Sequence, residues 1–219
     1  MYQYILFDLD GTLTNSELGI TTCVQHALKR FGIEVEDRTK LRPFIGPPLG
    51  ESFQVYYGLS QEESEQAIIY YRERFSVIGW QENEVYEGIP ELLDELKGKG
   101  LSLIVATSKP EVYTCRILEH FGLARYFDFV AGSTLDGQRD AKAEVIAHIQ
   151  QNYPEITREN TVMVGDRKFD VAGAHERDLP VIGVLYGYGD RAEMEQAGAD
   201  FIAEDLAELK RLLLMLAEK

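Results

Sequence analysis

The chain has 219 residues, 45% of them hydrophobic, and a formal charge of -15 from 37 acids against 22 bases. This length fits one large domain, or a core with a smaller inserted domain. The acidic balance argues against nucleic acid or an anionic membrane as the natural partner, because both need a basic surface. A small anionic substrate stays compatible, since a few local bases, main-chain N–H groups and a metal can hold it.

Other features of the sequence indicate a cytoplasmic protein. Cys23 and Cys115 are far apart and form no Cys-x-x-Cys pair, so we expect reduced thiols, as in a reducing cytosol. The N-terminus lacks the basic region of a signal peptide, and no apolar stretch approaches the length of a membrane span. Nothing in the sequence implies a protein partner.

The first predicted element is a buried strand, the apolar run that ends at Phe7. Asp8 and Asp10 follow it directly, and ionised carboxylates beside an apolar core are costly unless something pairs with them. The chain beyond them has no good strand signal up to about residue 84, and its apolar residues recur at helical spacing. We therefore predict a small all-helical domain, residues 15–84, inserted into a core formed by residues 1–14 and 85–219.

Strands and helices alternate through the rest of the chain. The strand candidates are near-continuous apolar runs, as expected for parallel strands buried on both faces: "LSLIVA", "FDFVAG", "TVMVG", "PVIGVL" and "ADFIA". Amphipathic helical segments separate them, the first starting near Pro90. This alternation predicts the α/β class, with a doubly wound parallel sheet. The "GYG" stretch at residues 187–189 is expected to be a flexible turn.

Polar residues stand at four places where a predicted strand ends or a helix begins. They are Asp8 with Asp10, then Thr107 with Ser108 and Lys109, then Lys142, and finally Asp166 with Asp170. Because the carboxyl ends of parallel strands share one edge of the sheet, these residues should gather in one crevice. Carboxylates suit Mg²⁺, whereas a hydroxyl, a lysine and main-chain N–H groups suit a phosphoryl group.

Each of these pieces alone has an ordinary structural explanation. An Asp-x-Asp-Gly sequence after a strand is often a turn, Thr-Ser or Asp after a strand is often a helix N-cap, and a lone lysine is usually solvated. The functional interpretation depends on all four occurring together, in this order.

The same stretches resemble the four ordered motifs of the haloacid dehalogenase-like hydrolase superfamily. They read "DLDGTLTNS", "VATSKP", Lys142 and "VGDRKFD", and the helical insertion resembles that family's cap domain. Within the superfamily, the chain looks most like the phosphoglycolate phosphatase-like branch, which includes 5'-nucleotidases. Two departures are Ala143, where proline is common, and Ser108, where asparagine is common.

The resemblance implies a role for each motif residue. Asp8 matches the nucleophile and Asp10 the general acid/base. Lys142 matches the neutralising lysine, and Thr107 and Ser108 match the phosphate-binding positions. Metal ligation is implied for Asp8, Asp166, Asp170 and the main-chain oxygen of Asp10, with Asp170 binding directly or through water.

The resemblance implies a Mg²⁺-dependent phosphatase acting on a small phosphorylated metabolite, with phosphoglycolate and a nucleoside 5'-monophosphate as the leading candidates. A sugar-phosphate mutase of the same fold is an alternative, disfavoured because the loop "IGPPLGE" lacks the arginine that would grip a second phosphate. A non-catalytic phospho-acceptor or binding module is another alternative, disfavoured because all the motif residues are present.

Overall fold

The computed structural model describes residues 2–218 of the chain. These residues form two compact units. Of the described residues, one unit contains 2–14 and 85–218, and the other contains 15–84.

The strands of the chain form a large sheet and a short ribbon. Across residues 2–218 they are β1 (Tyr4–Phe7), β2 (Thr14–Asn15), β3 (Glu84–Val85), β4 (Ser102–Pro110), β5 (Phe129–Ser133), β6 (Thr161–Gly165), β7 (Val181–Val184) and β8 (Phe201–Ala203). Six of them make the sheet in the order β5-β4-β1-β6-β7-β8, and adjacent strands in this sheet pair in parallel. From β1 the chain fills one side of the sheet and then the other, which confirms the doubly wound α/β prediction.

Helices follow the strands of the larger unit. They are α4 (Ile89–Gly98), α5 (Glu111–His120), α6 (Lys142–Asn152), α7 (Lys168–Glu176), α8 (Arg191–Ala197) and α9 (Leu206–Glu218), preceded in the smaller unit by α1 (Glu17–Lys29), α2 (Leu49–Tyr57) and α3 (Gln61–Arg74). Pro90 stands in the first turn of α4, where its missing N–H costs nothing. Among residues 2–218, no helix combines the length and the apolar character needed to cross a bilayer.

The side chains of β1 lie in the buried apolar core. Ile5, Leu6 and Phe7 of β1 are at most 1% exposed, and on one face of the sheet Leu6 belongs to a buried cluster that includes Ile146 of α6 and Val171 of α7. Burial of apolar surface on both faces stabilises the sheet and fixes the ends of its strands. The residues that follow each strand are therefore held on a rigid base.

The smaller unit is helical apart from its ends. A 3-10 helix (Arg38–Phe44) and a π-helical turn (Phe75–Gly79) supplement α1, α2 and α3. A capping box starts α3, since the Ser60 hydroxyl accepts from the Glu63 N–H and the Ser60 N–H donates to the Glu63 carboxylate. The ribbon of β2 and β3, which contains the boundaries at residues 14–15 and 84–85, was not predicted from the sequence.

Candidate active site

The register of the sheet brings the strand ends together. Phe7 pairs with Val105 of β4 on one side and with Val164 of β6 on the other. The residues after each partner therefore reach the same edge at the same level, and the Asp8 N–H donates to the Val164 carbonyl at 2.9 Å. Asp8 and Asp166 meet for this reason, although they are far apart in the sequence.

Lys142 links two carboxylates at this edge. It is the first residue of α6 and is 5% exposed. Its Nζ lies 2.7 Å from Asp8 Oδ1, 2.7 Å from Asp170 Oδ1 and 2.8 Å from the Ala106 carbonyl oxygen. Three acceptors match the three protons of an ammonium group. A buried lysine satisfied in this way is a fixed positive charge.

Burial and neighbouring charges together set the pKa values of Lys142 and Asp8. Burial alone would lower the pKa of Lys142, but the carboxylates of Asp170 and Asp8 outweigh it, and the pKa of the ammonium lies above its usual value. Burial raises the pKa of Asp8 to about 6; the charges of Asp170 and Asp10 add to the rise and Lys142 opposes it. Lys142 therefore favours the ionised form of Asp8 in a place that otherwise disfavours it.

Asp166 presents one engaged and one unengaged oxygen. Its Oδ2 accepts the main-chain N–H of Tyr188 at 2.7 Å, while its buried Oδ1 has no hydrogen-bond partner among the described residues. Burial raises the pKa of Asp166 well above its usual value, and the nearby charges of Asp170 and Asp8 add to the rise. A buried carboxylate oxygen with no partner is costly unless a cation compensates for it.

These carboxylates fit a divalent cation. Asp8, Asp166 and Asp170 each offer an oxygen, and the three oxygens lie within 4.8 Å of one another. The unpartnered Asp166 Oδ1 and the all-oxygen donor set match a hard cation such as Mg²⁺. Asp170 is already engaged at both oxygens, by Lys142 and by the Arg167 N–H. Its geometry therefore suits a contact through water.

Asp10 lies beside a second buried lysine. Lys109 Nζ contacts Asp10 Oδ2 at 2.6 Å, and the two side chains are only 5% and 9% exposed. The other oxygen, Asp10 Oδ1, is buried without a hydrogen-bond partner in the part of the chain that the structure describes. Lys109 was noted in the sequence but given no role. Its signal was available: it is two residues after Thr107 on an extended strand, so both side chains leave β4 on the same face.

The two phosphate-binding candidates lie on β4 itself. The sequence predicted a strand end at Ala106, but β4 continues to Pro110, with an irregular register between those two residues. Thr107 is 2% exposed and its hydroxyl accepts the Lys109 N–H at 3.3 Å, whereas Ser108 is half-buried. The motif residues thus fall into three groups: an acid cluster around Lys142, an Asp10–Lys109 pair, and the hydroxyl-bearing residues Thr107 and Ser108 of β4.

Comparison with known proteins decides the family. The model of the haloacid dehalogenase-like hydrolase family matches residues 5–184. The chain belongs to this family. The match includes all four sequence motifs and the residues between them.

Relatives of this hydrolase agree with the assignment along nearly its whole length. A 5'-nucleotidase of Pseudomonas aeruginosa is 45% identical over 97% of this chain and 96% of its own. A solved structure described as a predicted phosphatase from Clostridium acetobutylicum shares 47% identity, with a TM-score of 0.96 over 98% of this chain and 99% of that one. The tyrosine-protein kinase PtkA of Mycobacterium tuberculosis is 41% identical over 85% of this chain, which spans 63% of that relative's length.

The segment after β7 makes a contact that was not predicted. Residues 187–189, predicted to be a flexible turn, lie outside any helix or strand, and the Tyr188 N–H donates to Asp166 Oδ2. The Tyr186 hydroxyl donates to the Thr12 carbonyl oxygen at 3.0 Å. No side-chain pattern signals a main-chain donor, so the "GYG" sequence itself, with two glycines at a strand end, was the only available clue.

Proposed function

We propose that the phosphatase activity of this chain is a Mg²⁺-dependent hydrolysis of a small phosphate monoester through a phosphoryl group on Asp8. That the protein is a phosphoric monoester hydrolase of the haloacid dehalogenase-like family follows from the family match and its relatives. The observation that carries the finer proposal is the buried cluster of Asp8, Asp166 and Asp170 around Lys142. Such a cluster can hold a divalent cation, and that cation together with the Lys142 ammonium would offset the charges of a carboxylate nucleophile and a phosphate group.

Mg²⁺ would be held by the Asp8 and Asp166 carboxylates and, through water, by Asp170. The main-chain oxygen of Asp10 is the further ligand that the family resemblance implies. When bound, the cation polarises a phosphoryl oxygen and neutralises charge that develops during transfer. Lys142 contributes the second positive charge, because its Nζ lies 2.7 Å from Asp8 Oδ1. An ionised nucleophile can then approach an anionic phosphate.

The first half of the reaction transfers the phosphoryl group to the protein. A carboxylate oxygen of Asp8 attacks phosphorus, an acyl phosphate bond forms, and the bond from phosphorus to the leaving oxygen breaks. Asp10 in its acid form donates a proton to that oxygen, so the product leaves as an alcohol. Thr107 and Ser108 would hold the phosphoryl oxygens.

The second half regenerates the enzyme. Asp10, now a carboxylate, accepts a proton from a water molecule as that water attacks phosphorus, and the acyl phosphate bond breaks to release inorganic phosphate and the Asp8 carboxylate. Lys109 holds Asp10 Oδ2 at 2.6 Å, which leaves Oδ1 for the proton transfers. One oxygen is thus fixed by the protein while the other serves the chemistry.

A nucleoside 5'-monophosphate is the substrate class best supported, because a relative with 45% identity over nearly the whole chain is named a 5'-nucleotidase. Phosphoglycolate is the second candidate, from the resemblance of the motifs. The test is a panel of nucleoside 5'-monophosphates, phosphoglycolate and sugar monophosphates, ranked by kcat/KM for phosphate release. A ranking in which no nucleotide exceeds the sugar phosphates would contradict the substrate proposal.

The same panel separates other activities. A mutase would return an isomeric sugar phosphate with little free phosphate. One relative is named a tyrosine-protein kinase. A further assay therefore incubates the protein with labelled ATP and a tyrosine-containing peptide, and the phosphatase proposal predicts that no label is transferred to the peptide. Release of phosphate by none of the esters would favour a binding module instead.

Metal dependence is the first prediction of this proposal. Excess chelator should abolish phosphate release, Mg²⁺ should restore it, and Ca²⁺ should restore it poorly, since Ca²⁺ takes more ligands and a looser geometry. Because burial raises the pKa of Asp8 to about 6, protons should compete with the metal, and the Mg²⁺ concentration for half activation should rise as pH falls through that value. Asp166→Ala should raise that concentration or abolish activity. Undiminished activity in excess chelator would contradict the proposal.

The helical unit is proposed to act as a cap that selects the substrate. The loop "RPFIGPPLG" is the candidate segment for contacting the leaving group of the substrate. Arg42→Gln and Leu49→Ala should therefore change the ranking of substrates by kcat/KM more than the rate with p-nitrophenyl phosphate. Val55→Ala is the control, because Val55 lies outside the loop and is 74% exposed. An equal loss with every substrate would show that the loop only supports the fold.

A further inference from the structure

The segment Tyr186–Gly189, which follows β7, lies against Asp166. The Tyr188 main-chain N–H donates to Asp166 Oδ2 at 2.7 Å. The other oxygen, Oδ1, has no partner among the described residues and belongs to the acid cluster. A main-chain donor therefore selects which of the two oxygens stays available.

The glycines of the segment allow this close approach. A Cβ atom built on Gly187 would overlap Asp166 Cβ and the Gly11 carbonyl oxygen, and one built on Gly189 would overlap the Asp166 carbonyl oxygen. Gly11 has φ +84°, and a Cβ there would overlap Asp166 Oδ2. Asp166 is thus enclosed by main chain from two loops, and any side chain at these positions would displace it.

Tyr186 ties the two loops together. Its hydroxyl donates to the Thr12 carbonyl oxygen at 3.0 Å, and its ring meets the ring of Tyr86 edge to face, with centroids 5.2 Å apart. Burial raises the pKa of the phenol above its usual value, and the nearby charge of Asp166 adds to the rise. The hydroxyl therefore stays a donor, and the segment is anchored at its first residue.

We propose that Tyr186–Gly189 is a positioning element for the metal site: it fixes Asp166 so that Oδ1 faces the position of a divalent cation. The inference rests on the proposed metal dependence and deepens it. Its physical basis is that groups hydrogen-bonded to metal ligands set ligand orientation, so that losing them typically weakens metal binding about 10–100-fold. None of these residues needs to touch the cation.

The test is equilibrium Mg²⁺ binding by isothermal titration calorimetry, which requires no turnover. Gly187→Ala should raise the Mg²⁺ dissociation constant about 10–100-fold. Gly98→Ala is the matched control, because a Cβ on Gly98 meets nothing within 4 Å, and it should leave the dissociation constant unchanged. A folded Gly187→Ala protein that binds Mg²⁺ as tightly as the wild type would overturn the inference.

Two further measurements keep the outcomes distinct. If the wild type itself binds no Mg²⁺, the proposed metal dependence fails; if only the variant comparison fails, the positioning role alone is wrong. If Gly187→Ala gives no cooperative melting, Tyr186→Phe replaces it, since this change removes only the donor to Thr12. It should then raise the dissociation constant several-fold, and an unchanged value would overturn the inference.

Discussion

Replacing Asp10 with asparagine is expected to separate the two halves of the reaction. The variant keeps the shape, the main-chain oxygen and an acceptor for Lys109, which contacts Asp10 Oδ2 at 2.6 Å, but it cannot carry a proton. General acid–base catalysis typically contributes about 10²–10⁴-fold, so turnover of an alkyl phosphate should fall by that order. The reaction needs this second acid because Asp8 must remain an ionised nucleophile while another group delivers and removes the proton.

An aryl ester shows which half is lost. p-Nitrophenyl phosphate has a good leaving group that needs little protonation, so Asp10→Asn should still transfer its phosphoryl group and then stall. The expected result is a burst approaching one nitrophenolate per active site followed by slow release, with the phosphoryl group on Asp8 detectable by mass spectrometry after acid quenching. Asp8→Asn should give no burst.

The matched control for this prediction is Asp178→Asn. The Asp178 side chain is 83% exposed, and its φ of 56° is a conformation that asparagine tolerates well. The change removes the same charge from an exposed side chain outside the acid cluster, and both substrates should be turned over at the wild-type rate. An Asp10→Asn protein that turned over both esters like the wild type would rule out the proton-transfer role.

The acid cluster could be predicted from the sequence because its residues follow strands. Asp8 and Asp166 end neighbouring parallel strands, and Lys142 begins a helix, so the shared edge of a sheet was enough to place them together. The alternation of apolar runs and helical segments likewise predicted the sheet, because parallel strands buried on both faces leave an unbroken apolar signal. At these positions the apolar runs of the sequence and the strand order of the sheet place the same residues at the same edge.

Other features depended on information that the pattern does not carry. The Lys109–Asp10 pair joins residues 99 positions apart, and it requires the register of β1 with β4, which an apolar run does not specify. The contact from Tyr188 to Asp166 uses a main-chain N–H, which every residue except proline possesses. The ribbon strands β2 and β3 have two residues each, too few for an alternating pattern to be recognised.

Lys142→Met is expected to lower both activity and stability, because it removes the cation shared by Asp8 and Asp170. Breaking a buried ion pair by deleting one partner typically costs about 3–5 kcal/mol, since the remaining charges stay buried without compensation. For a chain of this size, about 1 kcal/mol corresponds to a shift of roughly 2–4 °C, so thermal denaturation in chelator should detect the loss easily. Loss of preorganised positive charge should also lower kcat by about 10²–10³-fold.

The control for this prediction is Lys168→Met, the same substitution at an exposed first residue of a neighbouring helix. It should change neither the melting temperature nor kcat beyond small surface effects. Mg²⁺ offers a second check, because a cation at Asp8 and Asp166 would offset part of the charge that Lys142 leaves uncompensated. The melting temperature of Lys142→Met should therefore rise more on adding Mg²⁺ than that of the wild type does. Wild-type kcat and stability in Lys142→Met would show that this lysine neutralises neither carboxylate.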